Sequence, residues 1–566
     1  MLLTRLHKFL TAPTKQFNSS MVFWFSLSLT FAAVYGLLGL QIAFSSEYVV
    51  QDDARQHLFW MRRFLDPQLF HNDLLADYFQ SVAPWGYSKL YQLFAAVGVD
   101  PIVLSKFLPI VLGLITTAYC FGVCLQLLPV PIAGFIASLL LNQNMWLGDD
   151  LVSATPRAFV YPLFVAFLYY VLRRQTLPCS IAIALSGLFY PPLLFLEAGV
   201  LFLQMWRWRD LLPHISSNYL FGATGLGVAL LVMLPYAFSS SQFDPIVTRT
   251  QAIAMPEFQR GGRIPFFDDD FWDFWLYGRD SGMLRQGFQP LVSWAGVLLP
   301  ILLKFPSRFP LVKQIANIKL LPQIALASIC MFFTAHILLY KVFAPSRYTR
   351  YSLRIVMIMA AGIAIAIILD ALWLWVREHP ARLFISLSLT ALLGAILLLY
   401  PAFGEFPKTN YIVGKRPELY HFFQKQPKDI IIASISRKVD DIPPFSQRAI
   451  LFGWEYANPY HLGYYSQIRQ RATDMIRAQY SQDIKLIQNF IQKYQVDFLL
   501  LDKNAFTPQY MNTNDWFRQW QPVAKEVLAQ INRGITPALS TVTSCTIFET
   551  NSLVVLKADC IATSKK

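Results

Sequence analysis

The chain has 566 residues, of which 55% are hydrophobic, 15% aromatic and only 14% charged, with a mean hydropathy of +0.41. Soluble domains carry about 25% charged residues, so this composition excludes an ordinary soluble enzyme and points to a polytopic membrane protein. The net charge of +14 does not call for nucleic acid as a partner, because lysines and arginines on cytoplasmic loops produce the same excess.

The basic amino terminus, "MLLTRLHKFLTAPTKQFNSS", precedes an apolar run at 21–44 that is too long for a signal-peptide core and lacks a following cleavage site. It reads as a retained first membrane helix with its amino end in the cytoplasm. Further apolar runs predict helices near 103–127, 130–147 and 156–172, a broken pair within 178–206, then 217–238, 289–304, 321–343, 352–376 and 383–402. At about 20 residues per span this gives about 11 crossings. The basic stretches at Arg173, at Arg207 and Arg209, at 304–319 and at 377–382 then all face the cytoplasm, which favours a hairpin with "FYPP" at its tip.

This threading divides the chain into a membrane domain, 1–402, with large outside loops at 45–101 and 239–288, and an extracytoplasmic α/β domain, 403–566. In the latter, "DIIIASIS", "RAILFGW" and "VDFLLLD" read as short buried strands, and 466–495 and 515–532 as helices. Cys545 and Cys560 flank a predicted hairpin with its turn near Asn551, where they form either a cross-strand disulfide or two free thiols.

The first outside loop opens with "YVVQDDARQHLFWMRRF". Asp52 and Asp53 complement the dipole of a helix at 54–65, and helix capping by these acids is one account of them. The helix has Leu58, Phe59, Phe64 and Leu65 for a membrane interface and Arg55, Arg62 and Arg63 for headgroups, the pattern of an in-plane helix. The other account is a reaction centre, which needs partners. Asp149 and Asp150 in "WLGDDLVSATPRAF" fall in the next outside loop, as a polar turn or as a second acidic pair that orients an acceptor or shares a divalent cation, Mg2+ or Mn2+, with the first. Arg157 follows on the same face, placed either to hold a donor phosphate or to pair with the acids.

"PSRYTRYSLRI" puts Arg347, Arg350 and Arg354 on the outside, against the bias that explains the other arginines. Spacings of three and four align them on one helix face, and arginine suits bidentate phosphate recognition. An anchor in the headgroups, flanked by Tyr348 and Tyr351, is the plainer account. In "RIPFFDDDFWDFWLYGRD", Asp269, Trp272 and Trp275 combine acid and aromatic faces suited to a sugar, or form an interfacial aromatic belt. His57 has no second histidine at ligand spacing, and "GATGLG" at 222–227 lies inside an apolar helix, where small residues serve close packing.

An acidic pair after the first helix, an in-plane helix, a second acidic outside loop, a late outside arginine and an exported tail together resemble the GT-C superfamily, in the layout of the whole chain. Its members are polytopic glycosyltransferases that use polyprenyl-phosphate or polyprenyl-diphosphate sugars, among them oligosaccharyltransferases, protein mannosyltransferases and aminoarabinose transferases. The resemblance implies that Asp52 or Asp53 is the catalytic carboxylate, that Asp149 or Asp150 helps bind metal, and that Arg347, Arg350 or Arg354 grips the donor phosphate during an inverting transfer. Oligosaccharyltransferases carry Trp-Trp-Asp-Tyr-Gly in the tail, where this chain has "GWEYA" at 453–457, a departure that weighs against peptide as the acceptor. The tail stretch "FGWEYANPYHLGYYSQIRQR" is similar to those of uncharacterised bacterial, especially cyanobacterial, membrane proteins of this layout.

The expectation is a glycosyltransferase that works among membrane lipids at the outer face of a bacterial plasma membrane. It takes a polyprenyl-linked sugar and a glycan, lipid or protein acceptor. The alternatives are a lipid or glycolipid flippase and a non-catalytic envelope-assembly scaffold. A flippase calls for ionisable groups deep in the bilayer, and Glu197 and His336 are the main ones here.

Overall fold

Long apolar helices dominate the first 400 residues of the chain, and all but one of the short strands among the described residues come after them. The computed structural model describes residues 2–14, 18–206, 217–238, 240–285, 287–378 and 380–563; the basic loop of Arg207 and Arg209 lies outside the described residues. Among them, six helices are long and apolar enough to cross a membrane: Ser19–Ala43, Pro101–Leu127, Tyr219–Phe238, Leu320–Ile337, Ser346–Val376 and Leu383–Phe403. The other segments predicted as crossings form shorter helices, so the count of 11 does not carry over. Proline accounts for two of the breaks. Pro156 opens a 3-10 turn before Val160–Arg173, and Pro191 and Pro192 separate Thr176–Phe189 from Pro192–Met205, the "FYPP" hairpin tip.

The helix Pro131–Trp146 is buried at every position. An apolar helix without a polar face belongs inside a bundle, and this one packs against Ser19–Ala43, Pro101–Leu127 and Ser352–Glu378. The last contact is close: a Cβ at Gly362 would stand 2.8 Å from the Ala137 Cβ, so glycine sets that approach. Its carboxyl end delivers Asp149 and Asp150 to the end of the bundle where the sheet lies.

Strand β1 (Val49–Gln51) pairs antiparallel with β2 (Tyr411–Val413), joining the chain that leaves the first membrane helix to the chain that leaves the last. Five further strands form one sheet: β3 (Ile431–Ala433), β4 (Ala449–Ile450), β5 (Phe498–Asp502), β6 (Thr546–Glu549) and β7 (Leu553–Lys557), in the order β4-β3-β5-β7-β6. β3 runs parallel to β4 and β5, while β7 runs antiparallel to β5 and β6. The helix predicted over 466–495 is two, Leu462–Tyr480 and Ile484–Tyr494, because Asp483 caps the second by accepting from Lys485 N. That predicted over 515–532 breaks likewise, into Asp515–Arg518 and Val523–Asn532, with Pro522 between them.

The segment after β1 differs from the in-plane helix expected of it. It is an α-helix, Asp52–Leu58, continued by a 3-10 helix, Phe59–Phe64. Leu58 and Phe59 are fully buried in protein, with Phe59 edge-on to Tyr456, and Arg62 donates to the Pro444 carbonyl and pairs with Asp100. An apolar face reads the same whether lipid or a second layer of protein covers it; here the sheet region covers it.

Cys545 and Cys560, 5.5 Å apart at Cα, are disulfide-bonded across the base of the β6–β7 hairpin. Alkylation of the denatured, unreduced chain is expected to label Cys120, Cys124, Cys179 and Cys330 only, with Cys545 and Cys560 reacting after reduction. Labelling of all six before reduction would mean that the bond does not form.

Candidate functional site

The two adjacent acids of the first loop point to different partners. Gln51, not an aspartate, caps their helix: its Oε1 accepts from Asp53 N at 2.9 Å and Ala54 N at 3.2 Å. Asp52 pairs with Arg55, whose guanidinium also reaches Asp441 at 3.1 Å and Glu455 at 3.2 Å in the sheet region. Asp53 pairs with Arg157.

Arg157 sits in the 3-10 turn Pro156–Phe159, close enough along the chain to fold back on the preceding loop. Its Nη2 lies 3.4 Å from Asp149 Oδ2 and its Nη1 3.4 Å from Asp150 Oδ1. Asp150 is buried, held by Arg350 Nη2 at 2.7 Å and accepting from the Tyr351 hydroxyl at 3.3 Å. Asp149 lies 3.6 Å from the same Arg350 nitrogen and accepts from Asn410 Nδ2 at 3.0 Å. Although Arg350 Nη2 is within ion-pair distance of Asp150, no N–H of this buried guanidinium is aligned for a hydrogen bond, and Arg347 Nε is likewise unpartnered among the described residues. Buried donors without partners are costly.

Arg347 and Arg350 occupy the short helix Ser346–Arg350, and Arg354 the first turn of Ser352–Glu378. Arg347 lies 3.5 Å from Asp280, and Arg354 donates to the Arg285 carbonyl at 2.7 Å. Arg279, Asp280 and Arg285, which follow the aromatic stretch, therefore join the site although the sequence reading passed over them; the "GRD" at its end was the available signal. Cations outnumber anions here. Asp53, Asp149, Asp150 and Asp280 face Arg157, Arg279, Arg285, Arg347, Arg350 and Arg354. Burial, together with Arg350 and Arg347, pushes the Arg285 guanidinium down to about 10. Burial works to raise Asp53 and Asp149, but Arg157 holds both carboxyls below the ordinary carboxylate range, helped at Asp149 by Arg350. Burial takes His57 down to about 4 against the pull of Asp53, which leaves it neutral at physiological pH.

No protein-family model matches the sequence, and no curated protein matches it. Solved structures do. The archaeal oligosaccharyltransferase of Archaeoglobus fulgidus, tethered to an acceptor peptide, superposes with a TM-score of 0.53 at 13% identity, over 89% of this chain and 72% of that one. Its apo form gives 0.53 at 12% identity, over 89% and 72%. The A. fulgidus enzyme AglB, bound to an inhibitory peptide and a dolichol-phosphate, gives 0.55 at 12%, over 90% and 73%. The chain has the oligosaccharyltransferase fold, a GT-C fold.

Within that GT-C fold, Asp269 and Trp272 lie on the exposed face of their loop, and Trp275 packs on His336 with ring centroids 4.7 Å apart. Among the described residues, no hydrogen bond or ion pair joins Asp269, Trp272 or Trp275 to the acid–arginine cluster. No group of three or more ligand side chains is arranged around an ion among the described residues. The donor chemistry nonetheless fits one. Mg2+ and Mn2+ take oxygen ligands, and Mg2+ is commonly held by one or two carboxylates together with substrate phosphate. Asp53 and Asp149 already converge on the cationic Arg157.

"GWEYA" lies directly against the acidic helix. Glu455 pairs with Arg55 and, at 3.2 Å, with Arg263, while Tyr456 packs on Phe59. Its first residue is glycine for a steric reason: a Cβ at Gly453 would stand 2.3 Å from Asp440 Oδ1. Asp440 is buried with that oxygen unpartnered among the described residues, and burial pushes its carboxyl up to about 8 despite Arg55. A folded-state value above the ordinary carboxyl range of about 4 means that stability is intact below about pH 4 and is lost as pH rises toward 8. Asp440→Asn is therefore expected to raise the Tm of the full chain at pH 8 by at least about 3 °C, with the gap closing as pH falls toward 5. A gap independent of pH in thermal melts would contradict this.

Proposed function

We propose that this chain is a glycosyltransferase that moves a sugar from a polyprenyl-phosphate or polyprenyl-diphosphate carrier to an envelope acceptor at the outer face of a bacterial plasma membrane. The observation that carries the reading is the surplus of buried arginine around Asp149 and Asp150, where Arg350 Nε and Nη1 and Arg347 Nε have no hydrogen-bond acceptor among the described residues although Arg350 Nη2 pairs with Asp150 and Arg347 Nη2 with Asp280. A phosphate charge about 4 Å from one guanidinium gains roughly 4 kcal/mol at an effective dielectric of 20. Several guanidiniums together would hold the donor phosphate and stabilise the charge that develops as it leaves.

A crevice lined by Val160, Tyr190, Pro192, Leu193, Leu196 and Tyr348 borders Arg347. Asp53, ionised and fixed by Arg157, would accept a hydrogen bond from the acceptor's nucleophile and stabilise the proton as the new bond forms. Its lowered pKa suits it to orient the acceptor more than to act as a strong base. Neutral His57 carries no charge to compete with this. Asp149 and Asp150 fix Arg157 and Arg350. A divalent cation held by Asp53 and Asp149 would add positive charge near the leaving phosphate.

The archaeal neighbours bind an acceptor peptide and a dolichol-phosphate. For this chain the acceptor is a glycan, lipid or protein, and the departure of "GWEYA" from the peptide-transfer motif favours the first two. A disulfide in the sheet region supports its export, since such bonds persist in oxidising compartments.

The test is mass spectrometry of polyprenyl-linked sugars in a strain lacking the protein, complemented with wild type, Asp53→Asn or Arg350→Gln. One glycolipid is expected to accumulate in the null strain and to be cleared by wild type, with clearance at least about 100-fold slower for Asp53→Asn. Equal clearance by wild type and Asp53→Asn would overturn the reading.

A further inference from the structure

We infer that Asn410 is a positioning residue that sets Asp149 against Asp53, an inference whose catalytic consequence rests on the glycosyltransferase reading. The chain leaving the last apolar helix runs between the two acidic loops and is bonded to both. Lys408 N donates to the Trp146 carbonyl at 2.8 Å, at the base of the Asp149 loop. Two residues on, the Asn410 carbonyl accepts from Asp52 N at 3.1 Å, while its side-chain Nδ2 donates to Asp149 Oδ2 at 3.0 Å. Between them the Thr409 carbonyl accepts from Gln51 Nε2 at 3.5 Å. The pairing of β1 with β2 follows immediately, with Gln51 opposite Tyr411. One residue thus bonds to the first acidic loop through its backbone and to the second through its side chain.

The backbone conformation and the residue type agree with this role. Asn410 has φ of +51°, in the left-handed region that asparagine tolerates better than most non-glycine residues. That turn of the backbone lets one residue present its carbonyl to Asp52 and its amide to Asp149. The amide is also the nearest donor to the Asp149 carboxylate, at 3.0 Å against 3.4 Å for Arg157 and 3.6 Å for Arg350. Being neutral, it holds the carboxylate in place without cancelling the charge that the two arginines need. Asn410 touches no reacting atom in the proposed mechanism, so its effect would pass through Asp149 and Arg157 to Asp53.

Two substitutions separate the side chain from the backbone. Asn410→Gly keeps the left-handed backbone and its carbonyl and removes only the amide. Asn410→Asp keeps shape and backbone tolerance but replaces the amide donor with a carboxylate that repels Asp149. Hydrogen exchange by mass spectrometry on the full purified chain needs no turnover. Asn410→Gly is expected to speed exchange at 147–153 about threefold and leave 49–53 unchanged. Transfer from the glycolipid that accumulates in the null strain is expected to fall about tenfold in kcat, with KM for the donor little changed. Asn410→Asp, which sets a second carboxylate against Asp149, is expected to speed exchange at 147–153 at least as much as Asn410→Gly.

Wild-type exchange at 147–153 in Asn410→Gly would overturn the inference, as would wild-type exchange there in Asn410→Asp. If the wild-type chain transfers no sugar, the glycosyltransferase reading fails, and the exchange result alone decides whether Asn410 holds the Asp149 loop.

Discussion

Carboxylates from two loops almost a hundred residues apart meet on the guanidinium of Arg157, whose side chain is only 14% exposed. Removing one partner from a buried ion pair typically costs 3–5 kcal/mol, because the other charge is left uncompensated. Neither loop can withdraw without incurring a cost of that kind. Arg350 repeats the arrangement from a third segment, through Asp150 and Asp149. This charge network ties together the loop after Ser19–Ala43, the loop after Pro131–Trp146 and the short helix before Ser352–Glu378.

Two other connections hold the network against the sheet region. Arg55, one helical turn after Asp52, pairs with Asp441 and Glu455, and β1 pairs with β2. The helix that carries Asp53 is thus fixed from both sides, by Arg157 toward the bundle and by Arg55 toward the sheet. Helix Pro131–Trp146, buried on every face, supports the second acidic loop from below. In a glycosyltransferase this geometry would place the carboxylate that meets the acceptor next to the arginines that meet the donor, at the boundary between the bundle and the sheet region.

Much of this was legible in the sequence. Asp53, Asp149, Asp150, Arg157 and Arg350 stood out because charge next to an apolar run is costly and needs a reason, and arginines against the orientation bias need a stronger one. The strands at "DIIIASIS" and "VDFLLLD" and the cysteine-flanked hairpin were readable from pattern. Hydrophobicity, however, does not say what covers it. Leu58 and Phe59 fit a lipid surface and a protein core equally well, and the in-plane helix was misread for that reason. Asp52 and Asp53 are adjacent in sequence, yet successive helical positions point about 100° apart, and so only one faces Arg157. Arg285 and Asn410 carried no local pattern at all, and Arg279 only the "GRD" that ends the aromatic stretch. Their roles come from tertiary placement, and in the aromatic loop attention went to Trp272, which is exposed, while the residues after it reach the site.

If the buried arginines form a seat for a lipid-borne phosphate, binding depends both on the phosphate and on Arg350. The most direct measurement is native mass spectrometry of the full chain in nanodiscs, titrated with polyprenyl phosphate and, separately, with the uncharged polyprenol. The account expects the phosphate to bind the wild type at least about tenfold more tightly than it binds Arg350→Gln, and polyprenol to bind both proteins equally weakly. Phosphate and polyprenol binding alike, with no effect of Arg350→Gln, would contradict it.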